Sequence, residues 1–110
     1  MLEKRKSVRR FAAMNILCYY PDNQNEADKC VLVNISKGGV GIESKKIFRA
    51  GERVKIIFNA AKDEEVSAIA EILYSQEGSF GFFYGAKYCD ASAPNRALLN
   101  NYLLKYFNLY

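Results

Sequence analysis

Apolar and polar residues alternate along most of the chain, in short runs separated by turn-forming clusters. From Phe11 to Tyr20 the even positions Ala12, Met14, Ile16, Cys18 and Tyr20 are all apolar, while Asn15 interrupts the odd set. A period of two is the repeat of a strand with one face on a core. The polar segment PDNQNEAD, Pro21 to Asp28, leads to a β-branched-rich second strand, Cys30 to Ile35. Gly38-Gly39 turns the chain into a short third strand, Val40 to Glu43. Arg49-Ala50-Gly51-Glu52 precedes a fourth, Arg53 to Phe58, with Val54, Ile56 and Phe58 on one side. After a turn from Ala60 to Glu64, Val66, Ala68, Ala70, Ile72 and Tyr74 mark a fifth strand. After Glu77-Gly78 a sixth carries an aromatic face of Phe80, Phe82, Tyr84, Ala86 and Tyr88.

The period then changes. Ser92 can cap a helix with Pro94 in its first turn, and Leu98, Leu99, Tyr102, Leu103, Tyr106 and Leu109 recur at helical spacing. Asn95, Asn100, Asn101, Lys105 and Asn108 occupy the other side. Such a helix most simply packs on the strands or closes one end of them, with a partner-binding role as the alternative. Six strands at short, regular spacing predict an antiparallel barrel or sandwich. The fold expected is mainly all-β, a six-stranded antiparallel β-barrel with a C-terminal α-helix. A chain of 110 residues holds one such domain, with an arm at 1–10, the barrel at 11–90 and the helix at 92–109.

Charge changes the picture at one place. Of the net +4, all lies in the first ten residues, where Lys4, Arg5, Lys6, Arg9 and Arg10 stand against Glu3; the remainder sums to zero. That asymmetry suggests a local anion site, against the plainer alternative of a solvated basic tail. Catalysis finds little support. The chain has no histidine, and Asp63, Glu64 and Glu65 form a charge run on a turn, so no enzyme is expected. The glycines of GGVG lie between two strands and miss the dinucleotide fingerprint, and no Walker-type loop is present. The three cysteines, Cys18, Cys30 and Cys89, lack metal-ligand spacing. Reduced, half-buried thiols are expected, with Cys18 and Cys30 able to sit on neighbouring strands, and no cofactor or metal. No apolar run is long enough to cross a bilayer, which points to a cytoplasmic protein with no membrane insertion.

Two groups of residues remain. Arg5 and Arg9 are four apart, so their guanidinium groups converge in either a helical or an extended segment; Arg10 points elsewhere. A guanidinium fork suits phosphate and the O6/N7 edge of guanine. The second group is NISKGGVG, Asn34 to Gly41. An asparagine carbonyl can accept from guanine N–H groups, and a serine hydroxyl can donate to a phosphate or base. Gly38 and Gly39 permit positive φ and leave backbone N–H groups open to an anion. An ordinary hairpin turn is the competing explanation.

Together the two groups resemble the PilZ family, whose members bind the bacterial second messenger cyclic di-GMP. Its signature is RxxxR just before the barrel and D/N-x-S-x-x-G about one hairpin later. Here these stand as Arg5 and Arg9, and as Asn34-Ile35-Ser36-Lys37-Gly38-Gly39, while Gly85-Ala86-Lys87-Tyr88 resembles a late G-x-x-F strand with tyrosine for phenylalanine. The resemblance implies a cyclic di-GMP site of Arg5, Arg9, Asn34, Ser36 and Gly39, with Lys4, Arg10, Lys37 and Gly38 as further candidates. Asn34 puts an amide where a carboxylate is also permitted. Lys4 lies where family members differ between one bound ligand and a stacked pair. The expected mechanism is capture and ordering of the arm, which changes the surface shown to a downstream protein partner. Two rivals are a basic barrel binding single-stranded nucleic acid and a family member that docks without ligand. The confinement of charge to ten residues argues against the first.

Overall fold

The computed structural model describes residues 9–23, 28–58, 65–79, 81–89 and 95–109. The chain forms β1 (Arg10–Tyr19), β2 (Asp28–Ile35), β3 (Gly39–Ser44), β4 (Arg53–Ile57), β5 (Ser67–Glu77), β6 (Phe82–Tyr88) and α1 (Asn95–Phe107). The strands close into an antiparallel barrel in the order β1-β2-β3-β6-β5-β4, with β4 returning to β1 through Leu17, Cys18 and Tyr19. Closure gives each described strand a neighbour on both sides. The alternating residues fill the interior: Ile16, Leu32, Ile42, Val54, Ile56, Ala70, Ile72 and Tyr84 are all buried. Within the described residues the expected barrel and helix are both present.

Several details differ from the sequence expectation. β1 begins at Arg10, so that residue belongs to the barrel and not to the arm. Lys4, Arg5, Ser92 and Pro94 lie outside the described residues, as do Phe80 and the acidic pair Asp63 and Glu64. On α1 the buried set is Leu99, Tyr102 and Leu103, whereas Tyr106 is 59% exposed and half-buried Phe107 packs inward instead. The helix stops at Asn108, whose φ of 54° is the left-handed conformation of a helix end. The Leu109 N–H then donates to the Leu103 carbonyl at 3.1 Å, returning Leu109 to the core.

Cys18 and Cys30 are not free, half-buried thiols. Both point into the core from adjacent β1 and β2 and are joined by a disulfide, with Cα atoms 6.4 Å apart; Cys89 is free. The register explains the pairing. Cys30 faces Ile16 and Cys18 faces Asp28, so the two cysteines are diagonal neighbours on the same inner face.

Antiparallel closure places the starts of β1, β3 and β5 with the ends of β2, β4 and β6. Helix α1 packs at this end, with the Tyr102 ring 5.7 Å from that of Phe58. At the opposite end the segment 45–52 folds across the barrel and inserts Phe48, which is 3% exposed. There the buried Tyr84 hydroxyl donates to the Lys46 carbonyl at 2.8 Å and accepts from the Phe48 N–H at 2.9 Å.

Candidate functional site

The strands do not pair in perfect register, and the interruptions fall together. β1 carries an extra residue between Phe11 and Met14, β2 between Leu32 and Asn34, and β5 between Ile72 and Tyr74. Ala13, inside the first bulge, takes a φ of 52°. A bulge turns the following side chain to the other face of the sheet. The result is one row across the outer surface: Phe11 faces Asn34, Asn34 faces Gly41, Gly41 faces Gly85, and Gly85 faces Tyr74. Phe11 stands 80% exposed at one end and Tyr74 41% exposed at the other.

The glycines in that row make room for their neighbours. A Cβ on Gly41 would lie 2.8 Å from the Asn34 amide nitrogen and 2.7 Å from the Phe83 ring, so the amide and the ring occupy its place. A Cβ on Gly85 would overlap the Tyr74 ring, which lies over it and stacks on Phe83 at 6.3 Å and 13°. Among the described residues no side-chain hydrogen bond occupies the half-buried Asn34 amide. Its donors and acceptor are presented beside an aromatic pair.

The β2–β3 turn borders this surface, and Ser36 builds it. Its hydroxyl, in a residue only 8% exposed, accepts from the N–H groups of Gly38 at 3.2 Å and Gly39 at 3.1 Å. The Ser36 N–H also donates to the Gly39 carbonyl at 2.9 Å. Gly39 does not adopt positive φ. Its requirement is spatial, because a Cβ there would overlap the Ala86 carbonyl of β6. The backbone N–H groups read from the sequence as open to an anion are thus turned toward the serine hydroxyl.

An open cavity of about 220 Å³ lies between this turn and the β5 bulge, lined by Arg9, Ser36, Gly38, Gly39, Leu73, Tyr74 and Lys87 among others. Lys87 sits opposite Gly39 on β3 and Glu71 on β5. Arg9, directly before β1, lines the same cavity. The structure therefore brings Arg9, Ser36, Gly38 and Gly39 together and sets Asn34 on the adjoining row. Arg10 is exposed, faces Ile35 and does not line the cavity. Lys37 points to a second cavity beside α1.

The profile of the PilZ domain family matches residues 3–105. The chain belongs to the PilZ domain family. Solved structures agree on the fold. The PilZ domain with c-di-GMP of YcgR from Escherichia coli is 17% identical with a TM-score of 0.69, covering 96% of this chain and 93% of that one. The Bacillus subtilis inhibitor of motility, MotI/DgrA, is 20% identical with a TM-score of 0.68, covering 97% of this chain and 53% of that one. The K. pneumonia MrkH–c-di-GMP complex is 12% identical with a TM-score of 0.73, covering 97% and 54%. The present chain thus spans about half the length of the B. subtilis and K. pneumonia proteins. No curated protein matches it in sequence.

Within this PilZ barrel, Leu73, Tyr74 and Lys87 are site-lining residues that the alternation did not reveal. The sequence did carry a trace of the first two. Ile72-Leu73-Tyr74 places three large apolar residues in a row, a break from strict alternation of the kind a bulge produces. Tyr88, in the late strand motif, donates its hydroxyl to the Ser36 carbonyl at 3.3 Å, and burial pushes its phenol well above the ordinary value, keeping it a neutral donor. Among the described residues no cluster of three His, Cys, Asp or Glu could hold a metal, and no helix is long and apolar enough to cross a membrane.

Proposed function

We propose that this PilZ chain is a cytoplasmic, non-enzymatic receptor for cyclic di-GMP, which binds between the N-terminal arm and the outer face of the barrel. The observation that carries the reading is convergence: Arg9, the Ser36–Gly39 turn and the exposed Tyr74 border one open cavity. The printed names of the E. coli and K. pneumonia structures, both complexes with c-di-GMP, support the choice of ligand. In this reading Arg5 and Arg9 grip phosphate and the guanine O6/N7 edge, and Asn34 accepts from guanine N–H groups. Ser36 and Gly39 maintain the turn against which a phosphate rests, with Lys87 adding charge. Tyr74 offers a ring for a base to stack upon.

A volume of about 220 Å³ is below the roughly 300–1,000 Å³ usual for small-molecule pockets. A dinucleotide would be only partly seated there, and the arm supplies the rest of its contacts. Binding then orders the arm on the barrel and alters the surface offered to a downstream protein. Titration calorimetry tests this. Arg5→Ala or Arg9→Ala should weaken cyclic di-GMP binding about ten- to a hundred-fold, the scale of hydrogen bonds to charged groups. Undiminished binding by Arg9→Ala overturns the assignment. The affinity should fall only shallowly with salt, as for a ligand of two phosphates; a steep slope with length-dependent binding of single strands would favour a nucleic-acid barrel.

A further inference from the structure

The backbone atoms of the ligand-side turn are divided between two sets of partners. Its N–H groups at Gly38 and Gly39 are held locally by the Ser36 hydroxyl. The Gly39 carbonyl is also held locally, by the Ser36 N–H and hydroxyl, whereas the carbonyls of Ser36, Lys37 and Gly38 are held from far away in sequence. Tyr88 donates its hydroxyl to the Ser36 carbonyl at 3.3 Å and its N–H to the Gly38 carbonyl at 3.0 Å. Between them, the Arg96 guanidinium reaches from the first turn of α1 and donates to the Lys37 carbonyl at 2.9 Å. The same guanidinium lies 5.3 Å from the centre of the Tyr88 ring, so the cation braces the ring that braces the turn.

What lies behind the turn explains why such a brace matters. A cavity of about 180 Å³ separates Lys37 from Asn100, Leu103 and Leu109 of the helical end. Lys37 therefore borders open space on the helix side, and Arg96 bridges to its carbonyl from α1. A turn containing two glycines has a large conformational entropy to lose, and a ligand gains affinity when that order is already present.

We infer that Tyr88 and Arg96 are positioning residues for the Ser36–Gly39 turn, and that through them α1 and the cyclic di-GMP site act as one cooperative unit. The ligand half of this inference rests on the function proposed above; the positioning half does not. By linkage, whatever α1 contributes to ligand affinity the ligand returns to α1 as protection from opening.

Amide hydrogen exchange and calorimetry on the full chain separate the two halves. In ligand-free protein, Arg96→Ala should speed exchange at Gly38 and Gly39 while leaving the β4 amides unchanged. Its cyclic di-GMP affinity should fall about three- to ten-fold, the scale of one partly exposed hydrogen bond. Arg96→Lys should recover part of both effects, since an ammonium still donates to a carbonyl but lacks the planar fork. Tyr88→Phe should likewise loosen the turn, and ligand added to the wild-type chain should slow exchange in α1. Unchanged exchange at Gly38 and Gly39 in both Arg96→Ala and Tyr88→Phe overturns the positioning role. A loosened turn with unchanged affinity overturns the coupling. A wild-type chain that binds no cyclic di-GMP sinks the functional reading alone, and exchange at the two glycines still decides whether Tyr88 and Arg96 hold the turn.

Discussion

The two ends of the barrel are built on opposite plans. At the end crossed by segment 45–52, Phe48 is inserted between Tyr20 and Tyr84, with ring centres 5.4 and 5.3 Å away, and the buried Tyr84 hydroxyl has both a donor and an acceptor partner. At the end that carries Arg9 and the β2–β3 turn, aromatic rings lie on the outside, glycines let neighbouring groups approach the backbone closely, and a cavity stays open. The first end contributes stability through close packing and satisfied polar groups. The second leaves surface and hydrogen-bonding groups available, at some cost in packing. The contrast teaches that the proposed binding surface is not a hole in the core but a feature of the outer wall, so the core can be complete while the candidate site remains accessible.

The contrast is broken most forcefully at the packed end. Phe48→Ala should destabilise the fold by about 3–5 kcal/mol in urea denaturation, as for other buried phenylalanines. Ligand affinity of the fraction that remains folded should be little changed. If affinity fell as far as in Arg9→Ala, the two ends would not be independent and the division of labour drawn here would be wrong.

Paired glycine substitutions sharpen the comparison within the site end. A Cβ at Gly39 meets the β6 backbone at Ala86, which cannot move without shifting a strand. Gly39→Ala should therefore cost about 1–3 kcal/mol of stability as well as ligand affinity. At Gly85 the nearest obstacle to a Cβ is the far end of the Tyr74 side chain, which can rotate away. Gly85→Ala should keep stability within about 1 kcal/mol, the scale of a tolerated volume change, while altering ligand binding through the displaced ring. Equal stability losses in the two variants would count against the close β3–β6 approach as the reason for Gly39.

The smallest effect is electrostatic. Burial raises the phenol of Tyr88, and also those of Tyr20 and Tyr102, above the ordinary value of 10.0. Below that pH both folded and unfolded chains are protonated at these groups and stability is unaffected. Above it the unfolded chain releases protons that the folded chain retains, so stability should decline as pH rises. Denaturation measured across this alkaline range should show a shallower decline in Tyr88→Phe than in the wild type. An identical decline would mean that Tyr88 is not buried against the turn.

Much of the architecture could be read from the alternation alone. Ile16, Cys18, Leu32, Ile42, Val54, Ile56 and Ile72 face inward as the period of two requires, because a half-buried strand leaves that imprint whatever its partner. Tyr74 could not be placed in the same way. It continues the even set of β5, yet a single extra residue at Leu73 turns it outward, and a bulge is defined by the register of the neighbouring strand. The site was legible to the extent that its chemistry is local. Arg9 and the Asn34–Gly39 stretch could be picked out by residue type and spacing, whereas Lys87, Tyr88 and Arg96 join them through contacts that sequence separation conceals.

By itself, then, the sequence determined the strands, the helix, the charged arm and the polar turn, since each follows from short-range periodicity, charge or turn chemistry. Tertiary structure decided three further matters. It paired Cys18 with Cys30, reserved Gly39 for the approach of β6, and used three bulges to align Phe11, Asn34, Gly41, Gly85 and Tyr74 into one row. Those outcomes depend on which residues of different strands lie opposite one another, and register is a property of the closed barrel as a whole.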